Sequence, residues 1–140
     1  MHEGPTSRTT VLVADDDEDM RALIASTLRD DGYEVTEARD GADLLAQLEA
    51  GLDDPRKRPD VVVSDVIMPE LSGLGVLEAL RRAQQRLPVI LMTVVSDETI
   101  HTVAKRLGAV GVLRKPFDID DLRTAIVNAF IRDNARSRTR

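Results

Sequence analysis

Short apolar runs alternate along this chain with longer segments whose apolar residues repeat at helical spacing. Most runs are rich in valine, leucine and isoleucine, which is typical of strands buried on both faces of a parallel sheet. The pattern predicts five strands, at residues 11–14, 33–38, 61–65, 89–92 and 110–113.

An amphipathic helix is predicted after each strand, and residues 51–59 form a polar connection before the third strand. Polar N-caps are expected at Asp40, at Ser96 or Asp97, and at Asp118, and glycine stops at Gly32 and Gly108. Strict alternation of strand and helix requires a parallel sheet that is covered by helices on both faces. We therefore expect an α/β domain with a doubly wound, five-stranded parallel sheet.

The length of 140 residues fits one domain, and 42% hydrophobic with 31% charged residues is typical of a globular chain. We expect a flexible N-terminal segment at residues 1–9, one folded domain at residues 10–132 and a basic C-terminal tail at residues 133–140. Arg132, Arg136, Arg138 and Arg140 are expected to follow the last helix as solvated side chains.

Composition excludes several classes of function. The chain has no cysteine, so disulfides and thiolate metal sites are absent. A net charge of -6 and only three aromatic residues disfavour direct nucleic-acid binding. No apolar stretch approaches the roughly 18 residues of a membrane span, and residues 1–10 lack a signal-peptide core. We expect a cytoplasmic protein that does not bind a membrane.

Polar residues stand at the carboxyl ends of four predicted strands. Asp15 and Asp16 follow the first strand, Asp65 ends the third, Thr93 follows the fourth and Lys115 follows the fifth. Because right-handed crossovers bring these ends to one edge of the sheet, the side chains should converge there. Clustered carboxylates repel one another unless a cation intervenes. A hard divalent ion such as Mg²⁺ meets that need and leaves positions for a phosphate, which Lys115 and Thr93 could also contact.

Four more residues stand close to these positions in the sequence. The order along the chain is Asp15 and Asp16, then Asp65 with Met68, Pro69 and Gly73, then Thr93, then Lys115 with Pro116. In combination they resemble the receiver domain of bacterial two-component response regulators, over residues 11–130. The resemblance implies a flavodoxin-like (βα)5 fold with strand order 2-1-3-4-5 and a cis Lys115–Pro116 bond.

The resemblance also implies a function for each site residue. Asp65 would accept a phosphoryl group from a histidine kinase or a phosphotransfer protein, and Thr93 and Lys115 would contact that group. Mg²⁺ would be held by Asp15, Asp16, Asp65 and the backbone carbonyl of Ile67. A receiver catalyses its own phosphorylation and slow dephosphorylation, so no turnover of a separate substrate is expected. Output to a downstream protein, or to a homodimer, would use the face of helix 4, strand 5 and helix 5.

Two positions depart from the family pattern. Val112 occupies the place of the usual aromatic or histidine switch residue, and Val94 replaces a small residue, where its bulk is expected to crowd the phosphoryl pocket. Ile67 and Val95 flank the path of the hydrolytic water in this family, and neither can hydrogen-bond that water. The resemblance therefore implies a long-lived phosphoaspartate.

The same residues also have simpler interpretations. Asp16 or Asp17 is expected to cap the first helix in any case. A calcium loop is disfavoured because Met20 stands where an EF-hand requires glycine, and a haloacid-dehalogenase-type phosphohydrolase because no cap insertion is present. The alternative that stays open is a receiver-like interaction module that is never phosphorylated. The sequence also leaves open whether the receiver acts alone or within a longer regulator.

Overall fold

The computed structural model of the protein describes residues 8–95 and 97–138. Its strands are β1 (Thr10–Ala14), β2 (Glu34–Ala38), β3 (Val61–Asp65), β4 (Val89–Thr93) and β5 (Gly111–Arg114). Its helices are α1 (Glu18–Asp30), α2 (Gly41–Asp53), α3 (Gly73–Arg82), α4 (Glu98–Arg106) and α5 (Ile119–Arg138). All strand pairings are parallel, in the order β2-β1-β3-β4-β5. The predicted fold class and strand order are confirmed.

Side chains of successive residues in the central strands are buried on opposite faces of the sheet. Leu12 and Val62 pack in a cluster with side chains of α2 and α3, such as Leu77. Val11 and Val63 pack in a second cluster with side chains of α1 and α5. Both faces are thus covered, which explains why the strands show continuous apolar runs. None of the helices in the described ranges is long and apolar enough to cross a membrane.

The helix ends follow the expected capping chemistry. Asp17 caps α1 by accepting hydrogen bonds from the backbone N–H groups of Asp19 and Met20, both at 3.1 Å. Asp97 caps α4 through the N–H of Thr99 at 2.8 Å, whereas the alternative cap Ser96 lies outside the described residues. Gly32 follows α1 with φ of 101°, a conformation that glycine adopts at little cost.

Several element boundaries differ from the expectation. Helix α2 continues to Asp53, and Pro55–Lys57 forms a short 3₁₀ turn, so the connection before β3 is shorter than residues 51–59. Strand β5 lies one residue further along the chain than residues 110–113.

The last helix also differs, because α5 runs to Arg138. The arginines placed beyond the last helix therefore belong to it as far as residue 138, since no glycine or proline follows Phe130 to end it. Residues 1–7 and 139–140 of the two expected terminal segments lie outside the described residues.

Candidate functional site

The strand-end residues meet at one edge of the sheet, as expected. Asp15 directly follows β1, and Asp65 and Thr93 are the last residues of β3 and β4; all three are buried. The register pairs Asp65 with Met92 and Thr93 with Arg114, so the ends of neighbouring strands lie level. Parallel pairing in this register places residues far apart in sequence beside one another.

Lys115 joins the two buried carboxylates. Its Nζ donates to Asp15 Oδ2 at 2.8 Å and to Asp65 Oδ2 at 3.0 Å. Both bonds join an ammonium group to a carboxylate and are therefore charge-assisted. The lysine side chain is only 11% exposed, so the bonds are largely shielded from water. The Lys115–Pro116 peptide bond is cis. Lys115 thus brings a positive charge to the middle of the acidic cluster.

Burial controls the ionisation of this group. The pKa of Asp65 is raised, chiefly because burial disfavours its charged form; the hydrogen bond and charge of Lys115 oppose this shift, and the negative charge of Asp15 adds to it. The pKa of Lys115 is raised as well. Burial lowers this pKa. The hydrogen bonds to Asp15 and Asp65 and the negative charges of these two residues raise it, and together they outweigh the effect of burial. The lysine therefore remains charged at neutral pH.

The three acids can converge on one cation. One carboxylate oxygen from each of Asp15, Asp16 and Asp65 lies within 4.8 Å of the others. Asp16 is exposed, whereas the other two are buried, so the cluster opens to solvent on one side. Oxygen ligands of this kind suit a hard divalent ion, which would also offset the repulsion between the carboxylates.

Thr93 and Ile67 lie beside this cluster in different ways. Ile67 donates its N–H to Asp65 Oδ1 at 3.2 Å, and its side chain is 52% exposed. The Thr93 hydroxyl is buried and accepts a hydrogen bond from the N–H of Val95 at 3.0 Å. Its proton is still available for donation. Val94 is 62% exposed, and the expected crowding of the phosphoryl pocket by its side chain stays a prediction.

Every polar atom of Asp15 has a partner within the protein. Its N–H donates to the carbonyl of Ala38 at 3.2 Å, and its Oδ1 accepts from the N–H of Asp17 at 2.9 Å. Its carbonyl accepts a hydrogen bond from Arg21 Nη1 at 2.8 Å, in buried surroundings. Asp15 is therefore fixed at its backbone as well as its carboxylate.

Sequence reasoning missed Arg21. It is a charged residue within the buried stripe of α1, which also contains Ile24, Ala25 and Leu28. That position is the signal that could have identified it, because arginine is almost never buried without a partner. The identity of the partner, however, depends on the tertiary fold.

Comparisons with known proteins agree with this arrangement. The family model described as response regulator receiver domain matches residues 11–127. The probable transcriptional regulatory protein TcrX of Mycobacterium tuberculosis is 36% identical over 113 residues, which are 81% of this chain and 46% of that protein. The DNA-binding transcriptional regulator NtrC of Escherichia coli is 38% identical over 114 residues, which are 81% of this chain and 23% of that protein. The chain thus spans less than half the length of these curated relatives.

Solved structures match over nearly their whole length. The receiver domain of a Francisella response regulator has a TM-score of 0.81 and 29% identity, over 90% of this chain and 99% of that one. The chemotaxis protein CheY4 of Vibrio cholerae has a TM-score of 0.77 and 32% identity, over 88% of this chain and 99% of that one.

Proposed function

Because the chain belongs to the receiver domains of response regulators, we propose that Asp65 accepts a phosphoryl group from the phosphohistidine of a histidine kinase or phosphotransfer protein. The observation that supports this most directly is the double ion pair of Lys115 with Asp15 and Asp65, beside a third carboxylate from Asp16. A buried acid next to a cation and a metal-binding cluster is suited to phosphoryl chemistry.

The transfer conserves atoms and charge in a single displacement. One carboxylate oxygen of Asp65 forms the new bond to phosphorus, while the bond between phosphorus and the donor imidazole nitrogen breaks and leaves its electron pair on that nitrogen. Lys115 Nζ, now 3.0 Å from Asp65 Oδ2, is placed to stabilise negative charge on the phosphoryl oxygens. The Thr93 hydroxyl would donate a hydrogen bond to one of them.

Mg²⁺ is the ion that best fits the acidic cluster when a phosphoryl group is present. Asp15, Asp16 and Asp65 would hold it, together with the backbone carbonyl of Ile67. The ion would neutralise charge on the acids and the phosphoryl oxygens. The site offers oxygen atoms alone, which matches the preference of this ion.

The signal would leave through the face formed by α4, β5 and α5. Val112 of β5 is half-buried and packs against the same core cluster as Ala104 of α4, so a change in the loop after Thr93 can alter aliphatic packing there. The arginines of the connection before β3 are engaged locally, since Arg56 pairs with Asp54 and Arg58 donates to the carbonyl of Gly51. These contacts favour the face of α4, β5 and α5 as the surface for a downstream protein or a homodimer. They do not favour the connection before β3.

Intact-mass measurement tests the phosphoacceptor directly. Wild type incubated with Mg²⁺ and a small phosphodonor, and separately with a phosphorylated histidine kinase, should gain the mass of one phosphoryl group. Asp65→Asn should gain none. Asp60→Asn is the matched control, because Asp60 directly precedes the strand that Asp65 ends and its carboxylate accepts a hydrogen bond from the N–H of Thr10. No gain in wild type with either donor would favour the unphosphorylated interaction module.

Thermal unfolding tests the metal site. A ligand that binds only the folded state raises its stability as the ligand concentration increases. Wild type should melt at higher temperature in millimolar Mg²⁺ than in chelator, and the increase should be lost in Asp15→Asn. An equal increase in both proteins would place the ion elsewhere.

A further inference from the structure

We propose that Arg21 is a positioning residue for the metal site, because it holds the peptide of Asp15 so that the Asp15 carboxylate is aimed before an ion arrives. This inference rests on the proposed function. It extends the site from the acids themselves to a partly buried series of contacts that reaches Glu37 of β2.

The carbonyl of Asp15 needs a partner because of where it lies. Asp15 follows the last residue of β1 and is fully buried, and β2 ends opposite, at Ala38. Its carbonyl is therefore past the end of the strand pairing, and a buried carbonyl without a partner is costly. Arg21 Nη1 supplies the bond at 2.8 Å. The peptide that precedes Asp16 is thereby held in one orientation.

Arg21 is itself held from the other side. Its Nε donates to Glu37 Oε1 at 3.2 Å, and its side chain is only 11% exposed. Glu37 Oε2 accepts a bond from Arg29 at 3.2 Å, and the Glu37 carbonyl accepts one from Gln47 of α2 at 2.9 Å. A guanidinium is planar, so bonds at Nε and Nη1 fix both its place and its orientation.

These contacts leave Asp15 little freedom. Its carboxylate accepts from the Asp17 N–H and from Lys115 Nζ, and Arg21 holds the carbonyl of the same residue. Groups that orient a metal ligand without touching the metal commonly change metal affinity by about 10–100-fold when they are removed. The same contacts could serve only the stability of the fold. Arg29 separates the two roles, because it binds the same Glu37 but does not contact Asp15.

The experiment compares Arg21→Met, Arg21→Lys and the control Arg29→Met by calorimetric titration with Mg²⁺ alone. We expect Arg21→Met to bind the ion about 10–100-fold more weakly. Arg21→Lys should recover part of the affinity, because one donor can still reach the carbonyl. Arg29→Met should stay within about twofold of wild type, even if it unfolds more easily.

A second measurement is made without metal. Amide hydrogen exchange of Asp17, whose N–H is bonded to the Asp15 carboxylate, should become faster in Arg21→Met than in Arg29→Met, relative to the core amides of each protein. If Arg21→Met does not fold, Arg21→Lys and Glu37→Gln decide, and both should weaken Mg²⁺ binding.

The outcomes separate the two claims. If wild type itself binds no Mg²⁺, the proposed metal site is wrong. If wild type binds the ion and each folded Arg21 variant binds it equally well, Arg21 is purely structural and this inference is overturned, while the proposed function stands.

Discussion

At the scale of single residues, Lys115 offsets the repulsion between two buried carboxylates. Its Nζ contacts Asp15 and Asp65, whose carboxylates are both largely removed from water. Removal of one partner from such a buried arrangement typically costs about 3–5 kcal/mol, because the other charges are left uncompensated. Lys115 is therefore expected to contribute to folding as well as to phosphoryl transfer.

Lys115→Met should lower the free energy of unfolding by about 3 kcal/mol in chelator. Mg²⁺ should restore part of the loss, because the ion replaces the missing positive charge, and should therefore stabilise the variant more than it stabilises wild type. Urea unfolding with and without Mg²⁺ measures both effects. Lys105→Met, at an exposed position of α4, is the control and should change stability by about 0.5 kcal/mol or less. Equal stabilities of Lys115→Met and this control would contradict the argument.

Two apolar residues beside the acceptor should lengthen the life of the phosphorylated state. Ile67 is half exposed beside Asp65, and Val95 donates its backbone N–H to the Thr93 hydroxyl. Neither side chain can hydrogen-bond an attacking water, and poor alignment of a reactant can cost orders of magnitude in rate. Loss of the phosphoryl group at neutral pH with Mg²⁺ should be slower in wild type than in Ile67→Asn or Val95→Glu. Decay in wild type as fast as in the polar variants would refute this explanation.

At the scale of elements, the start of α3 depends on a missing side chain. A Cβ at Gly73 would overlap the carbonyl oxygen of Asp65 and lie 3.0 Å from Ser64 Oγ. The first turn of α3 therefore packs directly on the backbone that bears the acceptor. Further along the same helix, a Cβ at Gly75 would meet only side-chain atoms of Leu71, at 3.1 Å, and Ser72, at 3.5 Å.

Gly73→Ala should consequently destabilise the protein by about 1–3 kcal/mol, because the helix must move away from β3. The same displacement should slow phosphorylation of Asp65. Gly75→Ala is the control. The alanine gains helix propensity worth up to about 1 kcal/mol, and this gain offsets the close contact with the flexible side chain of Leu71. The stability of Gly75→Ala should therefore stay close to that of wild type. Urea unfolding and the rate of phosphoryl uptake test the pair, and equal behaviour of the two variants would show that the close approach is unimportant.

The elements also show what the sequence could predict. The strands and the caps at Asp17 and Asp40 were predictable because periodicity and capping are local. The extension of α5 to Arg138 was not, since the arginine-rich segment carries no apolar stripe and only its lack of a helix breaker indicated the outcome. Likewise, the acids of the site follow strands, but the contact of Arg21 with Asp15 joins α1 to the end of β1 through a geometry that only the packed fold defines.

At the scale of the whole molecule, burial is uneven across the sheet. Helices α1, α2 and α3 each bury four residues, whereas α4 buries only Ala104 and β5 buries none. The other edge strand, β2, is secured by side chains, since Arg29 donates to the carbonyl of Val35 and Gln47 to that of Glu37. Segments with few buried contacts open most readily and are the ones that move in switching proteins.

This gradient predicts where phosphorylation changes the protein. Amides of α4 and β5 should exchange with solvent faster than those of β1 and β3, because little burial opposes their local opening. Incubation with Mg²⁺ and a phosphodonor should alter exchange most strongly in α4 and β5, since Thr93 ends the strand that precedes α4 and Lys115 follows β5. The measurement is hydrogen exchange by mass spectrometry, with Asp65→Asn as the control that should show no response to the donor. A response centred on β2 and the Pro55–Lys57 turn would instead assign the output to the opposite edge of the sheet.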